Sequence, residues 1–95
     1  MKFDPKKYYS FGEDTVISGT VRVDGNIEDM CLTDKKLLVS SGSSLIVIPF
    51  NHIARLILED FKIIIFCTNY SITFDISGNI VWCNQIASEI AKRIG

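Results

Sequence analysis

The chain has few of the residues that catalysis and metal binding require. It contains one histidine, His52, and three cysteines, Cys31, Cys67 and Cys83, that lie far apart. There is no Cys-x-x-Cys pair, whereas a zinc site needs its cysteine and histidine ligands in close pairs. Gly-x-Ser-x-Gly, phosphate-loop and His-Glu-x-x-His motifs are also missing. We therefore expect no enzyme activity, no catalytic residue, no bound metal and no cofactor.

An excess of charge and long apolar runs are missing as well. The net charge is −1, and nucleic-acid binders need a surplus of lysine and arginine, so nucleic acid is not an expected partner. No apolar run approaches the roughly 18 residues of a membrane span, and the N-terminus lacks the apolar segment of a signal peptide. Distant cysteines in odd number favour reduced thiols. We expect a cytoplasmic protein, or a fragment of one.

The composition is that of a folded domain: 95 residues, 47% of them hydrophobic and 22% charged, fit one globular unit. Residues 1–14 differ from the rest because lysines alternate there with aromatic residues. Pro5 discourages a long helix, so we predict an irregular arm over residues 1–14 and a domain over residues 15–95.

Period-two alternation predicts strands in the first half of the domain. In Thr15–Val23, the side chains of Ile17, Val21 and Val23 fall on one face. Asp24-Gly25-Asn26 is a strong turn sequence, because glycine and asparagine tolerate positive φ. The same reasoning predicts three further strands, over residues 27–33, 37–41 and 45–48.

Three more strands can be registered from side-chain type. A turn at Asp60-Phe61 places Leu58 opposite Ile63, Leu56 opposite Ile65 and Ala54 opposite Cys67 on an inner face. The same register puts the pairs Ile57–Ile64 and Arg55–Phe66 on the outside. A second turn at Asn69-Tyr70 places Cys67 opposite Ile72, Ile65 opposite Phe74 and Ile63 opposite Ile76.

A helix closes the chain after the turn Ser77-Gly78-Asn79. Asn79 can cap it, and Trp82, Ile86, Ile90 and Ile94 recur every four residues on one apolar stripe. Gly95 stands where a C-terminal cap would lie. The predicted fold class is mainly β: a bent, seven-stranded antiparallel sandwich or open barrel, capped by one C-terminal helix with Trp82 as its largest anchor.

This pattern resembles the pleckstrin-homology-like (PH-like) superfold, and most closely its small GRAM-type and bacterial PH-type domains. The matching positions are a Leu-Thr step followed by a lysine, and an Ile-Pro-aromatic step followed by an isoleucine: Leu32, Thr33, Lys36, Leu37, Ile48, Pro49, Phe50 and Ile53. The resemblance implies a non-enzymatic binding module. Phosphoinositide binding in that family uses basic residues beside the first hairpin loop, but Asp24, Glu28 and Asp29 in this loop would repel phosphate.

Two surfaces are candidate binding sites. The outward residues Ile57, Ile64 and Phe66, with Ile53 and Arg55, form an apolar patch that suggests a protein partner or a second copy of the chain. The aromatic arm could instead fold back and cover it. Docking of ubiquitin or another adaptor, which the superfold also supports, is a further alternative.

The arm is the second candidate surface. Its basic and aromatic residues would suit peripheral contact with an anionic membrane, where each basic residue contributes about 1 kcal/mol. The residues concerned are Lys2, Phe3, Lys6, Lys7, Tyr8 and Tyr9. A solvated tail with some aromatic packing explains the same sequence.

Overall fold

The computed structural model describes residues 1–76 and 78–94. Within these residues the chain forms seven β-strands, two short 3-10 helices and one α-helix. The strands are β1 Thr15–Val23, β2 Asn26–Thr33, β3 Lys36–Ser41, β4 Ser44–Pro49, β5 Ile53–Glu59, β6 Lys62–Cys67 and β7 Ser71–Asp75. The 3-10 helices are Pro5–Tyr8 and Phe50–His52, and helix α1 is Ile80–Ile94. The predicted turn residue Ser77 and the predicted C-terminal cap Gly95 lie outside the described residues.

The described strands form one antiparallel sheet in the order β4-β3-β2-β1-β7-β6-β5. Neighbours in sequence pair as hairpins, and β1 joins the two halves of the sheet by pairing with β7 at Arg22 and Asp75. The predicted fold class, mainly β with a seven-stranded antiparallel sheet and one C-terminal helix among the described residues, is confirmed.

Turn chemistry explains the tightest hairpins. Val23 lies opposite Asn26, so Asp24 and Gly25 form a two-residue loop, and both have positive φ, as a type I′ turn requires. Asp60 and Phe61 form the same kind of loop with φ of 51° and 61°, although neither is a glycine. The predicted register of β5 against β6 is confirmed from Glu59–Lys62 to Arg55–Phe66.

Two predicted pairings are wrong. A bulge between Ile53 and Arg55 places Ile53, not Ala54, opposite Cys67, so that Ile53 is buried and Ala54 is exposed. Between β6 and β7 the register is shifted by two residues, with Ile65 opposite Ile72 and Ile63 opposite Phe74. The backbone bond from Cys67 N–H to Tyr70 C=O closes the hairpin one residue earlier than predicted. Because strand side chains alternate with period two, this shift leaves every residue on its predicted face.

Helix α1 covers the inner face of the sheet. Its N-terminus is capped as predicted, since the Asn79 side chain accepts a hydrogen bond of 3.0 Å from the Trp82 N–H. Its buried residues are Cys83, Ile86, Ala87 and Ile90. They join a core of inward side chains from the sheet, which includes Val21, Met30, Leu32, Leu37, Val39, Ile48, Ile63, Ile65 and Phe74.

Trp82 anchors the helix to β1. Its indole N–H donates a 2.8 Å hydrogen bond to the Thr20 carbonyl, and the ring packs against Gly19. A Cβ atom at position 19 would stand 2.5 Å from the ring. Gly19 is therefore the residue that lets the helix approach this closely.

Candidate functional site

The outward face of the β5–β6 hairpin carries an apolar patch. We call it the outer patch and define it as Arg55, Ile57, Ile64 and Phe66. Ile57 lies directly opposite Ile64, and Arg55 directly opposite Phe66. The three apolar side chains are half-buried and Arg55 is exposed. Ile53, which the sequence placed on this surface, lies instead in the core at 7% exposure because of the bulge.

Arg55 lies over the aromatic member of the outer patch. Its guanidinium carbon is 4.5 Å from the centroid of the Phe66 ring, which is the geometry of a cation–π contact. This stacking holds the arginine along the sheet and keeps its charge at the surface. The outer patch therefore combines an apolar strip with one positioned cation.

The edge of the sheet beside the outer patch is open. Strand β5 ends the strand order, and no hydrogen bond among the described residues uses its outer side. In a two-residue hairpin the flanking residues Glu59 and Lys62 exchange hydrogen bonds, and such pairs alternate along the ladder. The N–H and C=O groups of Leu56 and Leu58 therefore point away from β6, and the Leu58 side chain is 50% exposed.

The arm covers a different part of the sheet. Cys31 and Leu38 lie opposite each other with 0% exposure, although they alternate with the core residues of β2 and β3. The Tyr9 hydroxyl lies 3.2 Å from the Cys31 Sγ and also forms a hydrogen bond with Thr15. The pKa of Tyr9 is raised to about 12, mainly because the hydroxyl is removed from water and secondly because of the hydrogen bond with Cys31. The arm thus lies on the outer face of β2 and β3 and does not cover the outer patch.

A buried carboxylate fixes the end of the arm next to β1. Glu13 accepts hydrogen bonds from the Ser10 N–H at 2.7 Å, from Lys36 Nζ at 2.8 Å and from the Thr33 hydroxyl. Burial alone would raise the pKa of Glu13, but the bonds from Lys36, Thr33 and Ser10 outweigh it and lower the pKa to about 2. Glu13 is therefore a charged, fully paired anchor. We call this group the Glu13 clamp.

A second carboxylate fixes the start of the arm. Lys2 Nζ lies 2.7 Å from Glu28 Oε1, and Glu28 also accepts from Ser40 Oγ and from the Gly42 N–H. The bonds from Lys2 and Gly42 lower the pKa of Glu28. Lys2 donates further to the Ile27 carbonyl, and its N–H donates to Asp29. The acidic residues of the first hairpin therefore serve in part to hold the N-terminus.

These contacts divide the predicted arm residues into two groups. Lys2 and Tyr9 are bonded to the sheet and Phe3 is half-buried, whereas Lys6, Lys7 and Tyr8 are exposed on the first 3-10 helix. Sequence reasoning missed Glu13, and it named Glu28 only as a residue that would repel phosphate, not as a partner of Lys2. The Leu-Thr step and its lysine were the available signal for the site around Glu13, because Thr33 and Lys36 both donate hydrogen bonds to Glu13.

Other kinds of site find little support in the described residues. They contain no group of three histidine, cysteine, aspartate or glutamate side chains able to hold a metal ion. No helix among them is long and apolar enough to cross a bilayer. A cleft of about 200 Å³ beside Trp82 is lined by Thr20, Arg22, Ile27 and Asp75.

No family model and no curated protein sequence matches the chain.

Proposed function

We propose that this chain is a non-enzymatic, PH-like binding module whose partners are proteins. The observation that carries the proposal is the outer patch, an apolar surface that the arm leaves uncovered, beside the open edge of β5. Apolar side chains in contact with one another on a solvent-facing sheet favour a protein partner. An unpaired strand edge adds main-chain hydrogen bonds to a partner's strand.

The PH-like assignment has two supports. The strand order and the C-terminal helix are compatible with that superfold. The Leu-Thr step with its lysine, which suggested the family, has a defined task here, because Thr33 and Lys36 hold Glu13. A cytoplasmic location is part of the same proposal, since Cys31, Cys67 and Cys83 are free thiols and suit a reducing compartment.

Membrane contact through the arm is the weaker proposal. It would depend on Lys6, Lys7 and Tyr8, the exposed arm residues, because Lys2 is engaged by Glu28 and Asp29. Two free lysines contribute about 2 kcal/mol at an anionic surface, which is below what stable anchoring needs.

The test of the protein-binding function is a charge placed in the outer patch. Ile64→Glu places a carboxylate on β6, between Ile57 of β5 and Thr73 of β7. Thr73→Glu is the matched control, because Thr73 lies directly opposite Ile64 on β7 and is exposed. The tagged chain and both variants are cross-linked in cells, and the captured proteins are identified by mass spectrometry, with circular dichroism to verify folding.

We expect Ile64→Glu to lose the captured proteins and Thr73→Glu to retain them. Capture of the same proteins by both folded variants would show that the outer patch is not the binding surface.

A further inference from the structure

We propose that the partner bound at the β5 edge is a second copy of this chain, paired antiparallel through β5 about a two-fold axis at Ile57. This inference rests on the proposed function, because it names the occupant of the same surface. The hydrogen-bonding pattern and the charge pattern of β5 both support this pairing.

The backbone of β5 fits this pairing. An axis at Ile57 places Leu56 of one copy opposite Leu58 of the other, and Leu58 opposite Leu56. These two residues are the ones whose N–H and C=O groups point away from β6. Each such pair exchanges two hydrogen bonds, and Ile57 meets its own copy in the closer, non-hydrogen-bonded position. One sheet then runs through both molecules.

The side chains fit the same register. It places Arg55 of each copy opposite Glu59 of the other on the outward face. The two-fold axis therefore gives two favourable opposite-charge pairs per dimer. On the inward face it places the 50%-exposed Leu58 beside a second leucine. Arg55 and Glu59 are both exposed in the single chain. Arg55 must leave its position over the Phe66 ring on β6 to pair with Glu59 of the second copy.

Neighbouring registers lose this complementarity. An axis at Arg55 places the arginine against its own copy, and an axis at Leu56 places it against Ile57. An axis at Leu58 places Ile57 against Glu59. Like charges opposed across strands are destabilising, so the sequence of β5 selects the axis at Ile57.

The opposite edge of the sheet is less suited to pairing. Strand β4 ends in Pro49, which has no N–H to donate, and it carries no charged side chain to select a register. A cleft of about 250 Å³ joins its first residues, Ser44 and Leu45, to the arm residues Phe3 and Tyr8. Strand β5 contains no proline, and it carries the charged residues Arg55 and Glu59.

Two single charge reversals and their mixture test the proposal. Arg55→Glu alone and Glu59→Arg alone each place like charges opposite each other twice. We expect either variant to dimerise about tenfold more weakly than the parent chain, or worse. The equimolar mixture restores both opposite-charge pairs, so we expect a heterodimer. Light scattering during size-exclusion chromatography measures these masses against the 10.7 kDa monomer, at low and high salt.

Cysteine cross-linking tests the register. In a Cys67→Ser background, Ile57→Cys places two thiols at the axis, within disulfide reach. Arg55→Cys is the control, because its two copies are separated by four residues along the strands, about 14 Å. We expect rapid cross-linking of the first variant and none of the second.

Each outcome decides one of the two proposals. A monomeric parent chain at all concentrations overturns the second copy as partner, and protein capture that Ile64→Glu abolishes would still support the proposed function. A second possible result is a dimer that keeps its mass in both charge-reversal variants but dissociates when Val47→Arg is introduced on β4. Such a dimer would pair through the opposite edge and would overturn the proposed pairing through β5. A dimer that follows the charges and cross-links at position 57 supports the proposal.

Discussion

The Glu13 clamp allows the most quantitative prediction. Glu13→Gln keeps the size of the side chain and removes its charge, leaving Lys36 without its partner at 13% side-chain exposure. A fall of the Glu13 pKa from 4.5 to about 2 corresponds to about 3 kcal/mol. Removal of one partner of a buried ion pair costs a similar amount, about 3–5 kcal/mol. We expect Glu13→Gln to lower the free energy of unfolding by about 3 kcal/mol at pH 7.

The pH dependence of this loss follows from the direction of the pKa shift. Because folding lowers the pKa of Glu13, its stabilisation is complete above pH 4.5 and is lost as the pH falls towards 2. At pH 3 the unfolded chain has already bound the proton, so about 2 of the 3 kcal/mol are gone. The difference between the parent chain and Glu13→Gln should therefore shrink to about 1 kcal/mol at pH 3.

Urea denaturation, followed by circular dichroism at pH 7 and pH 3, measures both differences. Glu89→Gln is the control, because Glu89 pairs with Lys92 and Arg93 on the surface of helix α1 and should matter much less. Lys36→Met added to Glu13→Gln should recover part of the loss, since it removes the unpaired cation. A loss below about 0.5 kcal/mol at pH 7, or an equal loss at both pH values, would refute the reasoning.

Two further substitutions test the packing and the turns. Gly19→Ala should cost about 1–3 kcal/mol, because its Cβ would lie 2.5 Å from the Trp82 ring. The fluorescence of Trp82, the one tryptophan of the chain, should shift to the red, and unchanged fluorescence and stability would contradict the contact. Phe61→Gly should stabilise the fold by about 0.5–1 kcal/mol in urea, because Phe61 is 47% exposed and has φ of 61°. Gly25→Ala, which introduces strain at φ of 81°, should lower the free energy of unfolding. A Phe61→Gly variant that is less stable than the parent chain would contradict the turn conformation at Phe61.

The sequence predicted most of the sheet because strand side chains alternate and turn residues have distinct φ preferences. Asp24-Gly25 forms the predicted turn, and β1 has the predicted bounds. The outward positions of Ile57 and Ile64 follow from the alternation of side chains between the two faces of a strand. Even the wrong register of β6 against β7 preserved the faces, because it was shifted by an even number of residues.

The bulge at Ile53 could not be predicted, since one extra residue in a strand leaves no mark in an alternating apolar sequence. It moved Ile53 from the expected outer surface into the core. The position of the arm was equally hidden. Glu13 and Lys36 are 23 residues apart and Lys2 and Glu28 are 26 apart, and no local pattern indicates which distant charges meet.

By itself, then, the sequence determined the class of fold, the alternation of faces and the capped helix with its Trp82 stripe, all of which depend on residues close together in the chain. Tertiary structure alone decided where the arm lies, which carboxylates are buried, and that the outer patch stays uncovered beside an open strand edge. Those features arise from contacts between distant segments, and the free energy of such contacts depends on burial and geometry that exist only after the chain has folded.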